Sequence, residues 1–314
     1  MRFAAAIAAA VDSQPHARPD KVAGRVLLAD GDGLAYYCAG NDDTSPGQVR
    51  RNLEDKIESA KRAAGADEVR ILVTSAASHK GHRYAISRVK TYQGKRDHSR
   101  RPKNWQLARQ LIEQDRRSVI TDTLEADDLF HINSVRLGDE HVAILTEDKD
   151  MRMVPGWHLH WDSHALVRVR PDTWAFEANG KLFGRKWFWM QMLMGDSADN
   201  IPGLPKCTVN GKQKLCGEKT AAALLTDCPS EVEACPVVAE QYRLYYADEW
   251  REHMLEQACL LWMRRSDRLF DCVLPGGPLD FTGSCMHGPI EQADWVVASW
   301  LKAQDVLRNR VVDL

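Results

Sequence analysis

From Thr123 to Asp150 the chain reads TLEADDLFHINSVRLGDEHVAILTEDKD. Glu125, Asp127 and Asp128 crowd into four residues, and Asp148 and Asp150 follow the apolar run VAIL. Carboxylates drawn to one site repel each other, so either their pKa values rise or a cation relieves them. A set made only of oxygen donors suits hard divalent ions such as magnesium or manganese. The same acids could also be a solvated helix start followed by an acidic loop, so the rest of the chain has to choose.

A further acidic pair stands in Asp30-Gly31-Asp32-Gly33, closing the apolar run RVLLAD. Open α/β sheets bind ligands at the carboxyl ends of their central strands. The alternative is a Gly-rich turn that caps the next helix. Opposite charge lies between the two acidic regions. Lys80 to Arg117 holds twelve Lys or Arg against Asp97, Glu113 and Asp115, with Tyr84 and Tyr92 interleaved. Net charge is only −2, so the distribution is informative where the total is not. A basic, aromatic-bearing stretch beside an acidic site suits a polyanion held against a metal centre. The plainer reading is a solvated basic loop.

The elements that must position these groups follow from periodicity. RVLLAD is a strand, Val49 to Ala64 an amphipathic helix stopped by Gly65, and Val69 to Val73 a second strand. That order predicts parallel pairing. Asn104 caps a helix from Trp105 to Arg117, Val119-Ile120 is a strand, and Thr123 caps the helix that carries EADD. Val142 to Leu145 is a buried strand that delivers Asp148 and Asp150, and His158 to Asp162 and Leu166 to Val169 are further strands. KWFWMQMLM, Lys186 to Met194, is a helix, and its Trp and Met side chains belong to a core. GDSADNIPGLP, Gly195 to Pro205, is a turn. Lys212, Lys214 and Lys219 follow, and Gly217-Glu218-Lys219-Thr220 opens a helix whose amino end would suit phosphate. Val237 to Met263 and Gln292 to Asn309 read as helices.

The 314 residues, 44% hydrophobic, suffice for one large or two ordinary domains. The eight cysteines include no CxxC pair and read as reduced thiols in a cytoplasmic protein. Cys207, Cys216, Cys228 and Cys235 match no zinc-knuckle spacing. The Ala-rich opening has one basic residue and a short apolar run, which favours an N-terminal extension over a signal peptide. No run is long enough to span a membrane.

Taken together, the ordered motifs resemble the 5′-nuclease family: flap endonucleases, the 5′-nuclease domain of bacterial DNA polymerase I, and phage 5′→3′ exonucleases. The motifs are strand–DGD, the Tyr92-x-Gly94-Lys95-Arg96 stretch, EADD, TEDKD, GDSADNIPG and GEKTA. Size and the DGD and TEDKD blocks look closest to the podophage exonuclease, and the resemblance covers residues 25 to 226. It implies an α/β fold with a mostly parallel central sheet flanked by helices, a PIN-like core, a helical arch and a helix–three-turn–helix. Residues 1–24 would be an extension, 25–185 the nuclease core and 186–314 a helical DNA-binding region. The resemblance implies two Mg2+ or Mn2+ ions. Asp30, Glu125, Asp127 and Asp128 would hold one, and Asp148, Asp150, Asp196 and Asp199 the other. Lys90, Tyr92, Lys95 and Arg96 fall in the catalytic arch. Arg88, Arg100 and Arg101, with Gly203, Gly217, Lys219 and Thr220, would contact DNA, and K+ would bind at the helix–three-turn–helix. The partners implied are double-stranded DNA with 5′ ends, nicks or flaps, and RNA–DNA hybrids.

Two positions depart from the family pattern. ILVTSAAS has no carboxylate after the second strand, and Gln93 follows Tyr92 where the family has Lys. Two other readings stand beside the nuclease. A haloacid-dehalogenase-like phosphatase would use Asp30 and Asp32 with the Gly195-Asp196-Ser197 block, although that block follows a helix. A catalytically impaired DNA-binding protein would account for both departures.

Overall fold

Val26, Leu27, Leu28 and Ala29 are all buried, as a strand covered on both faces must be. The computed structural model that contains it describes residues 21–95, 101–268, 271–273 and 276–279. Arg96, Arg100, Cys285 and the helix expected at Gln292 to Asn309 lie outside these, as does most of the expected N-terminal extension.

In chain order the first elements are β1 (Val26–Asp30), α1 (Gly31–Ala39), α2 (Pro46–Ala64), β2 (Glu68–Thr74) and the single turn α3 (Arg83–Ile86). Next come α4 (Trp105–Glu113), β3 (Ser118–Thr121), α5 (Ala126–Leu137), β4 (Val142–Leu145), β5 (Gly156–Leu159) and β6 (Leu166–Val169). The chain continues through β7 (Phe176–Ala178), β8 (Lys181–Phe183), α6 (Lys186–Met194), β9 (Lys206–Val209) and β10 (Lys212–Leu215). Three helices follow, α7 (Glu218–Leu224), α8 (Glu231–Tyr246) and α9 (Trp250–Leu261). The described residues fall into two compact units, 21–78 with 101–184 and 79–95 with 185–279.

The first unit is built on a six-stranded sheet of order β3-β2-β1-β4-β5-β6. All its pairings are parallel except β5 with β6. Alternate strand residues therefore serve opposite faces. Leu27, Ala29, Ile71, Val73, Ala143 and Leu145 share one core with apolar residues of α1, α2 and α4. Helix α5 packs on the other face, against β1, β2 and β4. Ser45 caps α2, and Gly65 closes it in the left-handed region at φ +61°. The carboxyl ends of β1, β2 and β4 lie side by side, with Asp30 paired to Leu72 and Ala29 to Leu145.

The second unit is helical. Trp187, Phe188, Trp189, Met192 and Leu193 of α6 are buried, the core role expected of that helix. The loop after it is closed by two glycines in left-handed backbone. At Gly195 (φ +71°) and Gly203 (φ +57°) a Cβ would run into the backbone of the other. The Gly203 amide is taken by Gln257 Oε1 at 2.9 Å. The basic stretch from His79 to Lys95 belongs to this unit. Among its described residues the regular structure is a 3₁₀ turn, Lys80–His82, and α3. Arg83 is fully buried and donates to the carbonyls of Leu260 (3.2 Å) and Trp262 (3.0 Å).

Several expectations need correction. Helix α4 ends at Glu113, and the Asn104 side chain donates to the Thr44 carbonyl (2.6 Å) instead of capping it. The cap of α5 is Glu125, not Thr123. The helix expected from Val237 to Met263 is two helices, parted by a 3₁₀ turn at Ala247–Glu249 where Ala247 adopts φ +50°. The polar insert after Pro205 is an antiparallel hairpin, β9–β10. The cysteines are not all reduced: Cys207 and Cys216 form a disulfide, and Cys235 is disulfide-bonded as well. That removes Cys207, Cys216 and Cys235 as zinc thiolates.

Candidate active site

Three segments bring carboxylates to the carboxyl edge of the parallel strands. Asp30 closes β1 and caps α1, its Oδ1 accepting the Gly33 amide at 2.9 Å. Its Oδ2 accepts from the Thr146 hydroxyl at 3.0 Å, which ties it to the end of β4. Asp148 follows β4 and accepts the amide of Asp150 at 2.8 Å, starting a 3₁₀ turn. Asp150 is buried and Asp148 exposed. Helix α5 supplies the third segment. Its first turn is pinned to the end of β2 by the Ala126 amide, which donates to Thr74 Oγ1 at 2.8 Å.

The EADD residues divide by function. Glu125 and Asp128 form a reciprocal capping box, and Asp128 is fully buried, its carboxylate accepting the Glu125 amide at 3.4 Å. Asp127 stands in the field of the other acids. Burial, then the charges of Asp148, Glu125, Asp30 and Asp32, push its pKa well above the ordinary carboxylate value. Burial and the charges of Asp32 and Asp148 lift Asp30 from 3.8 to about 6, against the lowering effect of its two hydrogen bonds. The set is therefore Asp30, Asp32, Glu125, Asp127 and Asp148, five acids from three segments.

Asp32 has a partner that no sequence motif announced. The Arg109 guanidinium on α4 pairs with Asp32, donates to the Thr74 carbonyl and reaches Glu113 at 2.6 Å. It thus lies at the end of β2, beside the position that lacks a carboxylate. Only the Arg109–Glu113 spacing of four was readable, as a helix pair. The donor chemistry of the cluster fits a hard divalent ion, since every donor is oxygen and such an ion would relieve the burial and repulsion that raise Asp30 and Asp127. As the side chains stand, no three His, Cys, Asp or Glu among the described residues are arranged to hold one.

Of the remaining expected site residues that are described, all but Arg101 lie in the second unit. Tyr92 is buried, edge-on to Tyr84, and its hydroxyl donates to Asp199 Oδ2 at 2.9 Å. The hydroxyl therefore ties Tyr92 to Asp199 within the second unit. Asp196 is buried, its Oδ1 accepting the Ala198 amide at 2.9 Å. Gln93, in place of the expected Lys, accepts from Lys80 Nζ at 2.6 Å. Arg88, Lys90 and Lys95 are exposed. Gly217 and Lys219 are exposed, whereas the Thr220 hydroxyl donates to the Leu215 carbonyl (3.1 Å). Arg101, in the first unit, lies over the Trp105 ring at 3.8 Å.

Among solved structures, the chain is similar to the bacteriophage T5 flap endonuclease in a pseudo-enzyme–product complex with DNA and metal ions. The TM-score is 0.53 at 16% identity, over 76% of this chain and 89% of that one. It is also similar to the T5 5′-exonuclease with bound zinc, with TM-score 0.50, 17% identity and 76% and 87% coverage. The chain shares the α/β fold of these 5′-nucleases. No protein-family model and no curated protein sequence matches it. At such identities the likeness carries the fold, and the chemistry rests on the chain's own residues.

Proposed function

We propose that the protein is a divalent-metal-dependent 5′-nuclease that hydrolyses DNA phosphodiesters as a 5′→3′ exonuclease or flap endonuclease. The observation that carries this reading is the gathering of Asp30, Glu125, Asp127 and Asp148 at the carboxyl edge of the parallel strands, with Asp30 and Asp127 raised first by burial and then by the charges of neighbouring carboxylates. These four would hold Mg2+ or Mn2+, with Asp150 and Asp128 behind them. Bound there, the ions would acidify a water and neutralise charge on the scissile phosphate. The Gly33 amide and Thr146 hydroxyl fix the Asp30 carboxylate, and the Glu125–Asp128 box fixes the start of α5. Arg109 holds Asp32 at the edge of the cluster. Exposed Lys90 and Lys95 offset negative charge on the DNA. Asp196 and Asp199 belong with Tyr92 to the second unit.

The substrates of this reading are duplexes with 5′ ends, nicks or flaps, and the RNA of RNA–DNA hybrids, as in phage-type replication or recombination. The site of action is then the cytoplasm, where the Cys207–Cys216 bridge would meet reducing conditions. Among the described residues no helix is long and apolar enough to cross a membrane. A gel with 5′-labelled flap and nicked duplex tests the reading: products should appear with Mg2+ or Mn2+ and vanish with chelator. Cleavage that survives chelation, or hydrolysis of small phosphomonoesters alone, overturns it. A second reading, a DNA-binding protein that does not cut, is favoured by Arg109 at the end of β2 where a carboxylate is missing. Duplex binding with no cleavage in the same gel would establish that reading instead.

A further inference from the structure

The β9–β10 hairpin has no part in the site above, and its build is specific. Asn210 (φ +49°) and Gly211 (φ +72°) make its two-residue turn, the left-handed pair that matches strand twist. The Cys207–Cys216 disulfide closes its base. Buried Gln241 on α8 grips the outer edge of β9 twice, accepting the Thr208 amide (2.7 Å) and donating to the Thr208 carbonyl (3.2 Å). The Thr220 hydroxyl ties the end of β10 to α7. Held on both sides, the hairpin turns β10 to solvent, and all four of its residues are exposed.

What it presents is cationic. Residues 206–216 include Lys206, Lys212 and Lys214, all exposed, and no acid. Lys212 and Lys214 are two apart on one strand and so share a face. They lie about 6.8 Å apart along it at ~3.4 Å per residue. That spacing lets the two lysines meet separate phosphates of one DNA strand. Leu215, 79% exposed, stands on the opposite face beside Lys206, its cross-strand partner. A rigid, pre-shaped arm loses little freedom on binding, unlike lysines on a loose loop.

We propose that this disulfide-closed hairpin is a contact surface for the phosphate backbone of duplex DNA, separate from the acidic cluster and independent of base sequence. The proposal rests on the nuclease reading for its partner but not on cleavage. The test is duplex binding by the full-length protein, by fluorescence anisotropy with a labelled nicked duplex in chelator, from 50 to 200 mM salt. Each phosphate contact adds about 0.9 to the slope of log affinity against log salt. Lys212→Gln with Lys214→Gln should therefore flatten the slope by about 1.8. Lys212→Arg with Lys214→Arg should retain it. Arg50→Gln with Arg51→Gln, which removes two exposed charges on α2, should leave it unchanged. An unchanged slope in the Lys→Gln pair, with the parent binding normally, overturns the hairpin surface alone and leaves those lysines to an acidic protein or to solvent. A parent that binds no duplex overturns both this surface and the nuclease reading. All four positions are exposed, and matching circular dichroism spectra show that the variants are folded.

Discussion

Replacing Asp30 by Asn removes one charge from the acidic cluster while keeping the shape of its hydrogen bonds. The Asn carbonyl can still accept the Gly33 amide, and the Thr146 hydroxyl can turn from donor to acceptor of the new amide group. In the folded protein the Asp30 carboxyl titrates at about 6 instead of 3.8. A rise of about two units at ~1.4 kcal/mol each makes the ionised group cost the metal-free fold about 3 kcal/mol. The folded state holds this proton to higher pH than the unfolded chain does. Its stability therefore falls as pH rises from about 4 to about 6 and stays lowered above that range. Asp30→Asn should abolish that part of the profile. In urea unfolding with chelator, the variant should be more stable than the parent by up to about 3 kcal/mol at pH 7.5, and by almost nothing below pH 4. With Mg2+ at ~1,000 times its Kd the order should reverse, because such a ligand stabilises the parent by about 4.1 kcal/mol and the variant has lost a ligand oxygen's charge. Cleavage should be lost. A variant no more stable than the parent at pH 7.5 in chelator, or a difference that ignores pH, refutes the claim that burial and the neighbouring carboxylates raise the Asp30 carboxyl.

Asp127→Asn and Asp128→Ala should part company: the first should abolish single-turnover cleavage, the second should mainly cost about 0.5–2 kcal/mol of stability through the lost capping box, read by urea unfolding. Arg109→Ala strips donors from the Thr74 carbonyl and Asp32, and should cost about 1–3 kcal/mol; a loss below 0.5 kcal/mol, a value of the order of ~0.2–1 kcal/mol exposed pairs, would mean the ion pair is screened. Gly203→Ala should destabilise the Gly195–Gly203 loop by several kcal/mol, since both the left-handed φ and the backbone contact oppose a Cβ; a melting temperature equal to the parent's would disprove the close approach. Lys95→Ala with Arg96→Ala should slow single-turnover cleavage far more than it weakens duplex binding, and parental rates would remove the stretch from the catalytic step.

The strands and most helices of the first unit were legible because each carries its own period or its own run of buried residues. VAIL and LVRV have the bounds the pattern predicts, as does KWFWMQMLM in the second unit. The acidic cluster was legible for a related reason: its members sit at strand ends and a helix start, which local sequence marks. Long-range partners were not legible. Nothing near Arg109 points to Asp32, 77 residues away, or near Tyr92 to Asp199, 107 away. The second unit misled at its joins, since the break at Ala247 interrupts one continuous apolar pattern and the hairpin of 206–215 is polar enough to read as loop. The cysteine reading failed because pairing depends on a cross-strand approach that the hairpin itself creates.

The division inside EADD explains why that motif needs its acids in that order. A helix start leaves four amides without partners, and Glu125 with Asp128 satisfies two of them by a reciprocal box. That box locks the first turn of α5, and the Ala126 amide bound to Thr74 sets where the turn begins against the sheet. Asp127, between them, is then the one acid free of capping duty, and it projects into the field of Asp148 and Asp30. The amino end of the helix carries partial positive charge, which favours carboxylates there and offsets some of their mutual repulsion. Without a cation that offset is incomplete, as the raised pKa values of Asp30 and Asp127 record. The fold thus keeps acids at a point where they destabilise the metal-free protein. Such a cost is intelligible if these acids serve a bound cation, and it is hard to account for if they are only a helix cap and a solvated loop.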